Sequence, residues 1–278
     1  MPLHFTKMHG LGNDFIVIDA VRQKIDLSQL NIPSLANRHT GIGFDQCLIV
    51  EASQDDNIDF FYRIFNADGQ EVGQCGNGAR CLARFVKYYG LTAKTQIRIA
   101  TKTTNMSLQI NPDNTVTVDV GQPIFEPNRI PLKILKQMPL YSLPLKNGKS
   151  HQVHALSVGN PHAITVVDDL IHTPVIELGK EISEHPLFPE QTNAGFMKII
   201  NEHQIALRVY ERGCGETQAC GSGALAAAIA AQLFHHLKSP IDVVLLGGKL
   251  RVDWSGLSTS AFLTGPATFV YEGRLCEL

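Results

Sequence analysis

The sequence carries no excess of basic charge, no CxxC pair and no apolar run long enough to span a bilayer, and each absence removes a class of function. Lys and Arg number 24 against 26 Asp and Glu, a formal net charge of −2, so the electrostatic footprint of a nucleic-acid binder is missing. The longest largely apolar stretch, Ala224 to Phe234, falls short of the ~20 residues that cross a membrane as a helix. The opening residues, Met1-Pro2-Leu3-His4-Phe5-Thr6-Lys7, lack the charged-then-apolar pattern of a signal peptide. A cytoplasmic protein with neither a membrane nor a nucleic-acid partner is therefore expected. In a reducing compartment the six cysteines, Cys47, Cys75, Cys81, Cys214, Cys220 and Cys276, are thiols rather than a disulfide framework. Their spacing matches no zinc module. Cys47, Cys81 and Cys276 are expected to be small buried hydrophobes, and Cys214, in a glycine-flanked loop, an exposed thiol.

What is present is a repeat. At 278 residues the chain has room for one large core or two domains, and internal similarity decides for two. Arg63-Ile64-Phe65-Asn66, running to Cys75-Gly76-Asn77-Gly78-Ala79, aligns without gaps on Arg208-Val209-Tyr210-Glu211, running to Cys220-Gly221-Ser222-Gly223-Ala224, at an offset of 145. The arginine, a glutamate (Glu71 and Glu216), the cysteine, both glycines and the alanine coincide. Earlier in each half, Gly12-Asn13-Asp14-Phe15 sits against Gly159-Asn160-Pro161-His162 at an offset of 147, each leading into a β-branched run. A period of half the chain marks a duplicated domain rather than a solenoid.

Local pattern supplies the elements. Alternating or β-branched stretches at Phe15–Ile18, Cys47–Val50, Ile58–Phe65, Thr115–Val120, Ile164–Val167, Gln204–Tyr210 and Asp242–Leu246 read as strands. Helices are expected from Ala79 to Tyr89, stopped by Gly90, and from Ala224 to Leu237. The second is so rich in alanine that it belongs in the middle of its domain, with a sheet wrapped around it. Pro and Asn around Gly121 to Pro131 mark a linker, and Thr264-Gly265-Pro266 a second boundary, after which Ala267–Tyr271 returns to the first domain. The fold class expected is α+β, a mixed α/β chain of two domains: residues 1–120 with 266–278 carrying Cys75, and residues 121–265 carrying Cys220.

A thiol acts as a base only as thiolate, and at a reference pKa of roughly 8.5 cysteine is mostly protonated at neutral pH. Cys75 and Cys220 each stand immediately before a Gly-x-Gly that opens a helix. There, unpaired backbone N–H groups and the positive end of the macrodipole favour an anion, and the same donors can hold a substrate carboxylate. A helix terminus contributes ~0.3–1 kcal/mol, up to ~2 when partly buried, against enzymatic barrier reductions of ~8–23 kcal/mol. The rest requires several preorganised donors at about 2.7–4 kcal/mol each, with fixed orientation and exclusion of water. Stereoinversion gives a reason for two thiols: one base removes a proton from one face while an acid returns one to the other, and a thiolate/thiol pair runs in both directions.

Three strings, Phe5-Thr6-Lys7-Met8-His9-Gly10-Leu11-Gly12-Asn13-Asp14-Phe15, Asn66-Ala67-Asp68-Gly69 leading to Cys75-Gly76-Asn77-Gly78-Ala79-Arg80, and Glu211-Arg212-Gly213-Cys214-Gly215-Glu216-Thr217-Gln218-Ala219-Cys220-Gly221-Ser222-Gly223, resemble those of diaminopimelate epimerase. The resemblance runs from residue 5 to Tyr271 and is weakest over about 121 to 153. It implies interconversion of LL- and meso-2,6-diaminoheptanedioate in lysine and peptidoglycan precursor synthesis, with no pyridoxal phosphate, no metal and no other cofactor. It implies two pseudo-symmetric domains, each a mixed, mostly antiparallel sheet around a central helix, with the site between them. By position, Cys75 donates and Cys220 accepts the proton in one direction. Asn13, Gln46, Asn66, Asn160, Asn193, Glu211 and Arg212 bind substrate, the backbone of Gly76-Asn77 and Gly221-Ser222 holds the reacting carboxylate, and His162 and Glu211 modulate the thiols. Tyr271 matches a position associated with dimer contacts, which implies a homodimer. These residue types suit a small molecule with two ammonium and two carboxylate groups: amides that donate and accept, one forked cation and one acid.

Proline racemase shares the two-cysteine plan, so an imino-acid racemase is the enzymatic alternative, against which the Glu211-Arg212 pair argues for a substrate with a distal charged end. A binding protein would use the same helix termini without exchanging the α-proton. A thiol redox enzyme would cycle a Cys75–Cys220 disulfide.

Overall fold

The structure is a computed structural model that describes residues 3–73, 75–146 and 148–276. The chain divides into two compact units, Met1–Val118 with Gly265–Leu278, and Asp119–Thr264; residues 1, 2, 277 and 278 of the expected first domain lie outside the described residues.

The chain up to Gly121 supplies β1 (Leu3–Gly10), β2 (Asn13–Asp19), α1 (Ile32–Ala36), β3 (Gln46–Ala52), β4 (Phe60–Asn66), β5 (Glu71–Val72), α2 (Gly76–Tyr88), β6 (Gln96–Ala100), β7 (Asn105–Ile110) and β8 (Val116–Gly121). Strand β1 is antiparallel to β2, β2 parallel to β3, and β3 antiparallel to β4. Next, β4 is antiparallel to β5 and parallel to β6, and β6, β7 and β8 follow as antiparallel neighbours.

The rest of the chain supplies β9 (Tyr141–Pro144), β10 (Ser150–Ser157), β11 (Pro161–Val166), α3 (Val175–Ser183), β12 (Asn193–Asn201), β13 (Gln204–Glu211), β14 (Gly215–Thr217), α4 (Gly221–His235), β15 (Ile241–Leu245), β16 (Gly248–Trp254), β17 (Ala261–Gly265) and β18 (Thr268–Leu275). From β10 to β17 the pairings repeat those of β1 to β8 sign for sign. The flanking strands match as well: β18 lies antiparallel on β1, as β9 does on β10. The fold is therefore a duplicated α+β arrangement with mixed, mostly antiparallel sheets. The repeat read from a few strings extends to the whole pairing scheme.

Each sheet folds around one helix. In α2 the apolar positions Ala79, Leu82, Ala83, Phe85 and Val86 are buried, and the helix packs on β1, β2, β3 and β7. In α4 every residue from Ala224 to Ala231 is buried. Alanine has the lowest helix cost and its small side chain lets strands approach closely, which is how a helix without a polar face becomes the middle of a unit. Both helices begin at the first glycine of the Gly-x-Gly rather than at the alanine after it, so the expected starts at Ala79 and Ala224 are three residues late. Glycine is a weak helix former and hides the first turn from a propensity reading. The preceding cysteine caps it. Gly90 stops α2 as expected, at φ 64, whereas α4 ends at His235, two residues short of the expected Leu237, because His236 closes it at φ 60 with its N–H on the Ala231 carbonyl.

The stretch from Gly121 to Pro131 is more structured than a linker. Ile124 bridges to Ser157, a single 3-10 turn covers Pro127–Arg129, and Ile130 is fully buried in the second unit's core.

Candidate active site

Cys75 and Cys220 occupy the same local device. Each is the N-cap of its helix, with extended backbone (φ −152, ψ 106 and φ −109, ψ 111). Each sulfur accepts from the N–H of the third helical residue, Gly78 or Gly223, at 3.3 Å, taking the place that Ser or Asp fills in ordinary caps. The N–H groups of the first two helical residues, Gly76-Asn77 and Gly221-Ser222, have no acceptor within their own helix. The second glycine is closely packed in both helices, more tightly at Gly78 than at Gly223. A Cβ at Gly78 would stand 2.6 Å from Tyr62 Oη, and one at Gly223 3.0 Å from Val209 Cγ2 and 3.2 Å from Cys220 Sγ.

In the first unit the parallel register of β2 and β3 sets Phe15 beside Gln46, and the antiparallel register of β3 and β4 sets Gln46 beside Asn66. Gln46 Nε2 donates to Asn66 Oδ1 at 2.8 Å, while Gln46 Oε1 is buried without a hydrogen-bond partner, an acceptor available to an ammonium group. Asn13, at the start of β2, accepts from Asn77 Nδ2 at 3.1 Å and donates to Asp45 Oδ2 at 2.8 Å. Asn13, Gln46, Asn66, Cys75, Gly76 and Asn77 thus gather at one end of β2, β3, β4 and α2.

In the second unit the same register sets His162 beside Asn193. Asn193 Oδ1 accepts from the Arg212 backbone N–H at 2.9 Å, and its Nδ2 donates to the Pro161 carbonyl at 3.4 Å. Asn160 Nδ2 donates to Ser222 Oγ at 3.4 Å, and its Oδ1 lies 3.1 Å from His162 Nε2. The Cys220 thiol donates to Glu211 Oε2 at 3.0 Å, and Thr217 Oγ1 donates to the other carboxylate oxygen at 2.5 Å. Burial, and then the Glu211 carboxylate, push the Cys220 thiol well above its ordinary pKa. His162 has no exposed surface. Burial, and then the Arg212 charge, bring its imidazole down to about 3, so it is neutral at working pH. Arg212 is exposed and its Nη1 donates to the Glu190 carbonyl at 2.8 Å.

Tyr271 stands apart from these groups, on β18, 46% exposed and edge-on to Phe5 at 6.1 Å between ring centroids. Cys47 and Cys81 are fully buried, and burial pushes both thiols up, Cys81 to about 12. Cys276 is exposed, against the expectation of a buried hydrophobe, because it follows β18 and its alternate residues face solvent. Cys214 is exposed, as its glycine-flanked loop suggested.

Sequence reading missed four residues that hold the site in shape. Thr217 fixes Glu211, Tyr62 Oη donates to the Cys75 carbonyl at 3.2 Å, Asp45 holds Asn13, and Arg80 Nη2 donates to Asn77 Oδ1 at 2.9 Å. A usable signal lay in the repeat itself: it pairs Asn66 with Glu211, Phe15 with His162 and Arg80 with Leu225, marking where the halves diverge. Among the described residues no three His, Cys, Asp or Glu side chains gather as a metal site, and no helix is long and apolar enough to cross a membrane.

Two thiols at equivalent helix N-caps of a duplicated α+β fold define a class. A hydroxyproline epimerase from Agrobacterium vitis shares the fold, with a TM-score of 0.70 at 14% identity over 99% of this chain and 92% of that one. The family is fixed by sequence. The diaminopimelate epimerase profile matches residues 5–126 and 154–270. A diaminopimelate epimerase of Legionella pneumophila strain Philadelphia 1 is 61% identical over 275 residues, covering 99% of each chain, and one of Pseudomonas savastanoi pv. phaseolicola is 50% identical over the same length and coverage. The chain belongs to the diaminopimelate epimerase family and is an isomerase.

Proposed function

We propose that this chain interconverts LL- and meso-2,6-diaminoheptanedioate, for lysine and peptidoglycan precursor synthesis, by proton transfer between the α-carbon and the thiols of Cys75 and Cys220. The observation that carries the reading is the repeated device: two cysteines, 145 residues apart, each capping a helix through the third N–H at 3.3 Å. In one direction Cys220 removes the proton and Cys75 returns one; in the other the roles reverse. Stereoinversion requires the two thiols to reach the carbon from opposite faces. The N–H groups of Gly76-Asn77 and Gly221-Ser222 bind the reacting carboxylate and stabilise charge that develops on it as the proton leaves.

Burial and the Glu211 charge both raise the proton affinity of Cys220, which makes its thiolate a strong base and Glu211 the acceptor for the resulting S–H. His162 and Glu211 modulate the thiols, the first by filling the space behind Asn160 as a neutral ring. Asn13, Gln46, Asn66, Asn160, Asn193, Glu211 and Arg212 bind the substrate, with Arg212 on the distal carboxylate. The proposal needs no cofactor, since thiol and thiolate supply both halves of the transfer. Residues 1–120 with 266–278 and residues 121–265 act as the two domains of a cytoplasmic homodimer. Exposed apolar side chains at Tyr88, Val270 and Tyr271 support a dimer contact on that face.

The test is proton NMR of LL-diaminoheptanedioate incubated with the reduced protein in D2O without added cofactor, beside an L-proline control. Loss of the α-proton signal with appearance of the meso isomer is expected. Exchange of proline alone, or of neither compound, overturns the proposal.

A further inference from the structure

Arg80 lies five residues into α2 and has no exposed surface. Its three acceptors are neutral: Asn77 Oδ1 at 2.9 Å, the Pro266 carbonyl at 3.3 Å and the Gly76 carbonyl at 3.5 Å. Among the described residues, the ionisable groups that act on it are the thiols of Cys81 and Cys75, and burial keeps Cys81 protonated. A guanidinium buried without a carboxylate is costly. The fold does not require it, because the equivalent position of α4 is Leu225, fully buried. The cation is therefore specific to the Cys75 half.

A chain of hydrogen bonds starts at that cation. Arg80 can only donate, so it fixes the oxygen of the Asn77 carboxamide toward itself. Asn77 Nδ2 then faces Asn13 Oδ1, at 3.1 Å, and Asn13 Nδ2 faces Asp45 Oδ2, at 2.8 Å. Asp45 can only accept, and it is held by Arg38 Nη2 at 2.8 Å and the Asp14 N–H at 3.1 Å. A donor-only group closes one end and an acceptor-only group the other, so neither carboxamide can turn over without breaking two bonds. A turned Asn13 carboxamide would present oxygen where its nitrogen stood, reversing the polarity that the proposed substrate meets there.

We infer that Arg80 and Asp45 are positioning residues for the Cys75 half-site: together they set the polarity of the Asn77 and Asn13 carboxamides, and Arg80 supplies the positive charge behind the α2 amides for which the substrate carboxylate is the counter-charge. The inference rests on the reaction proposed above.

The test uses full-length R80M, R80K and D45N. Kinetics of α-proton exchange with LL-diaminoheptanedioate are measured, together with the rate at which iodoacetamide alkylates Cys75 at pH 7 without substrate, read by peptide mass spectrometry. R80M is expected to lose about 10²-fold in kcat/KM, the scale of a misplaced group, and R80K to recover about tenfold of it. D45N is expected to raise KM about tenfold with little change in kcat, the mark of lost uniform binding. Cys75 alkylation slows about tenfold in R80M, equivalent to one unit of thiol pKa, and stays near wild type in R80K. Kinetics and alkylation of R80M both within twofold of wild type overturn the inference. So does equal loss in R80M and R80K with D45N unaffected, which makes Arg80 a packing residue. If R80M does not fold, D45N decides: Asp45 is 43% exposed at its side chain, and a wild-type KM there overturns the relay. A wild-type enzyme that fails to exchange diaminoheptanedioate defeats the proposed reaction alone, since the alkylation comparison still tests Arg80.

Discussion

Gly223→Ala separates the placement of the Cys220 thiol from the stability of the fold. Residue 223 lies in the first turn of α4, where alanine is favoured over glycine by ~0.8–1.0 kcal/mol. Against this, the new methyl group would stand 3.0 Å from Val209 Cγ2 and 3.2 Å from both Cβ and Sγ of Cys220, some tenths of an ångström inside the ~3.5–4.0 Å of ordinary contact. Overpacking of this kind costs ~1–3 kcal/mol, so the net destabilisation is about 0–2 kcal/mol. At about 2–4 °C per kcal/mol for chains of this size, Tm falls by no more than about 8 °C. The chemistry suffers more. The sulfur is held by the Gly223 N–H at 3.3 Å and by Glu211 Oε2 at 3.0 Å, and relief of the clash moves it off both. A displacement approaching 1 Å costs about 10²-fold in rate, so kcat for α-proton exchange should fall ~10–100-fold in a protein that remains folded. Calorimetry and proton NMR in D2O on the same sample read both quantities. Wild-type kcat in a folded Gly223→Ala protein would refute the claim that this cap positions the thiol for proton transfer.

Cys75→Ser and Cys220→Ser should each abolish epimerisation while leaving far-UV circular dichroism unchanged; full turnover by either variant sinks the two-thiol mechanism. Glu211→Gln removes a charge that raises the Cys220 pKa, so the Cys220 resonance in a ¹³Cβ-cysteine titration, assigned with Cys220→Ser, should ionise at lower pH than in wild type. An unchanged or higher midpoint would contradict the charge assignment. His162 is held near 3 in the folded chain against ~6.5 when unfolded, so between these values the unfolded state binds the extra proton. Its contribution is fully present above pH 6.5 and is lost as pH falls toward 3. Denaturant unfolding at pH 7 and pH 5 should therefore show wild type losing about 2 kcal/mol more than His162→Gln; equal losses would mean that the ring is not buried neutral.

The sequence made the repeat legible wherever one residue type recurs in both halves, and left it hidden where the scaffold persists without its letters. Arg63 with Glu71 and Arg208 with Glu216 were visible as aligned types, and both form two-pronged ion pairs between adjacent strands. Strand β1 has no legible strand pattern, because Lys7 sits at a buried position and breaks the alternation. Its ammonium is held by Asp14 on β2 and by the Gly43 carbonyl, 36 residues away, contacts that only the folded chain brings together. Helix α3 was missed for two reasons: Pro174 gives it no side-chain cap, and Gly179 interrupts its pattern. That glycine is demanded by β13, since a Cβ there would stand 2.4 Å from Tyr210 Cβ. Gln46 and Asn193 carry no local signal either. Each is placed by a parallel strand pairing across about thirty residues, and only the family resemblance singled them out.

Duplication explains why two cysteines share one geometry, and divergence explains how they can differ in proton affinity. A perfectly repeated site would give both thiols the same environment and the same proton affinity. Here the position equivalent to Asn66 is Glu211, and that equivalent to Arg80 is Leu225. The Cys220 thiol donates to a carboxylate at 3.0 Å, whereas behind Cys75 stands a buried cation with neutral acceptors. Negative charge beside Cys220 raises its affinity for the proton, so the half that carries Glu211 is the one built to hold a proton on sulfur.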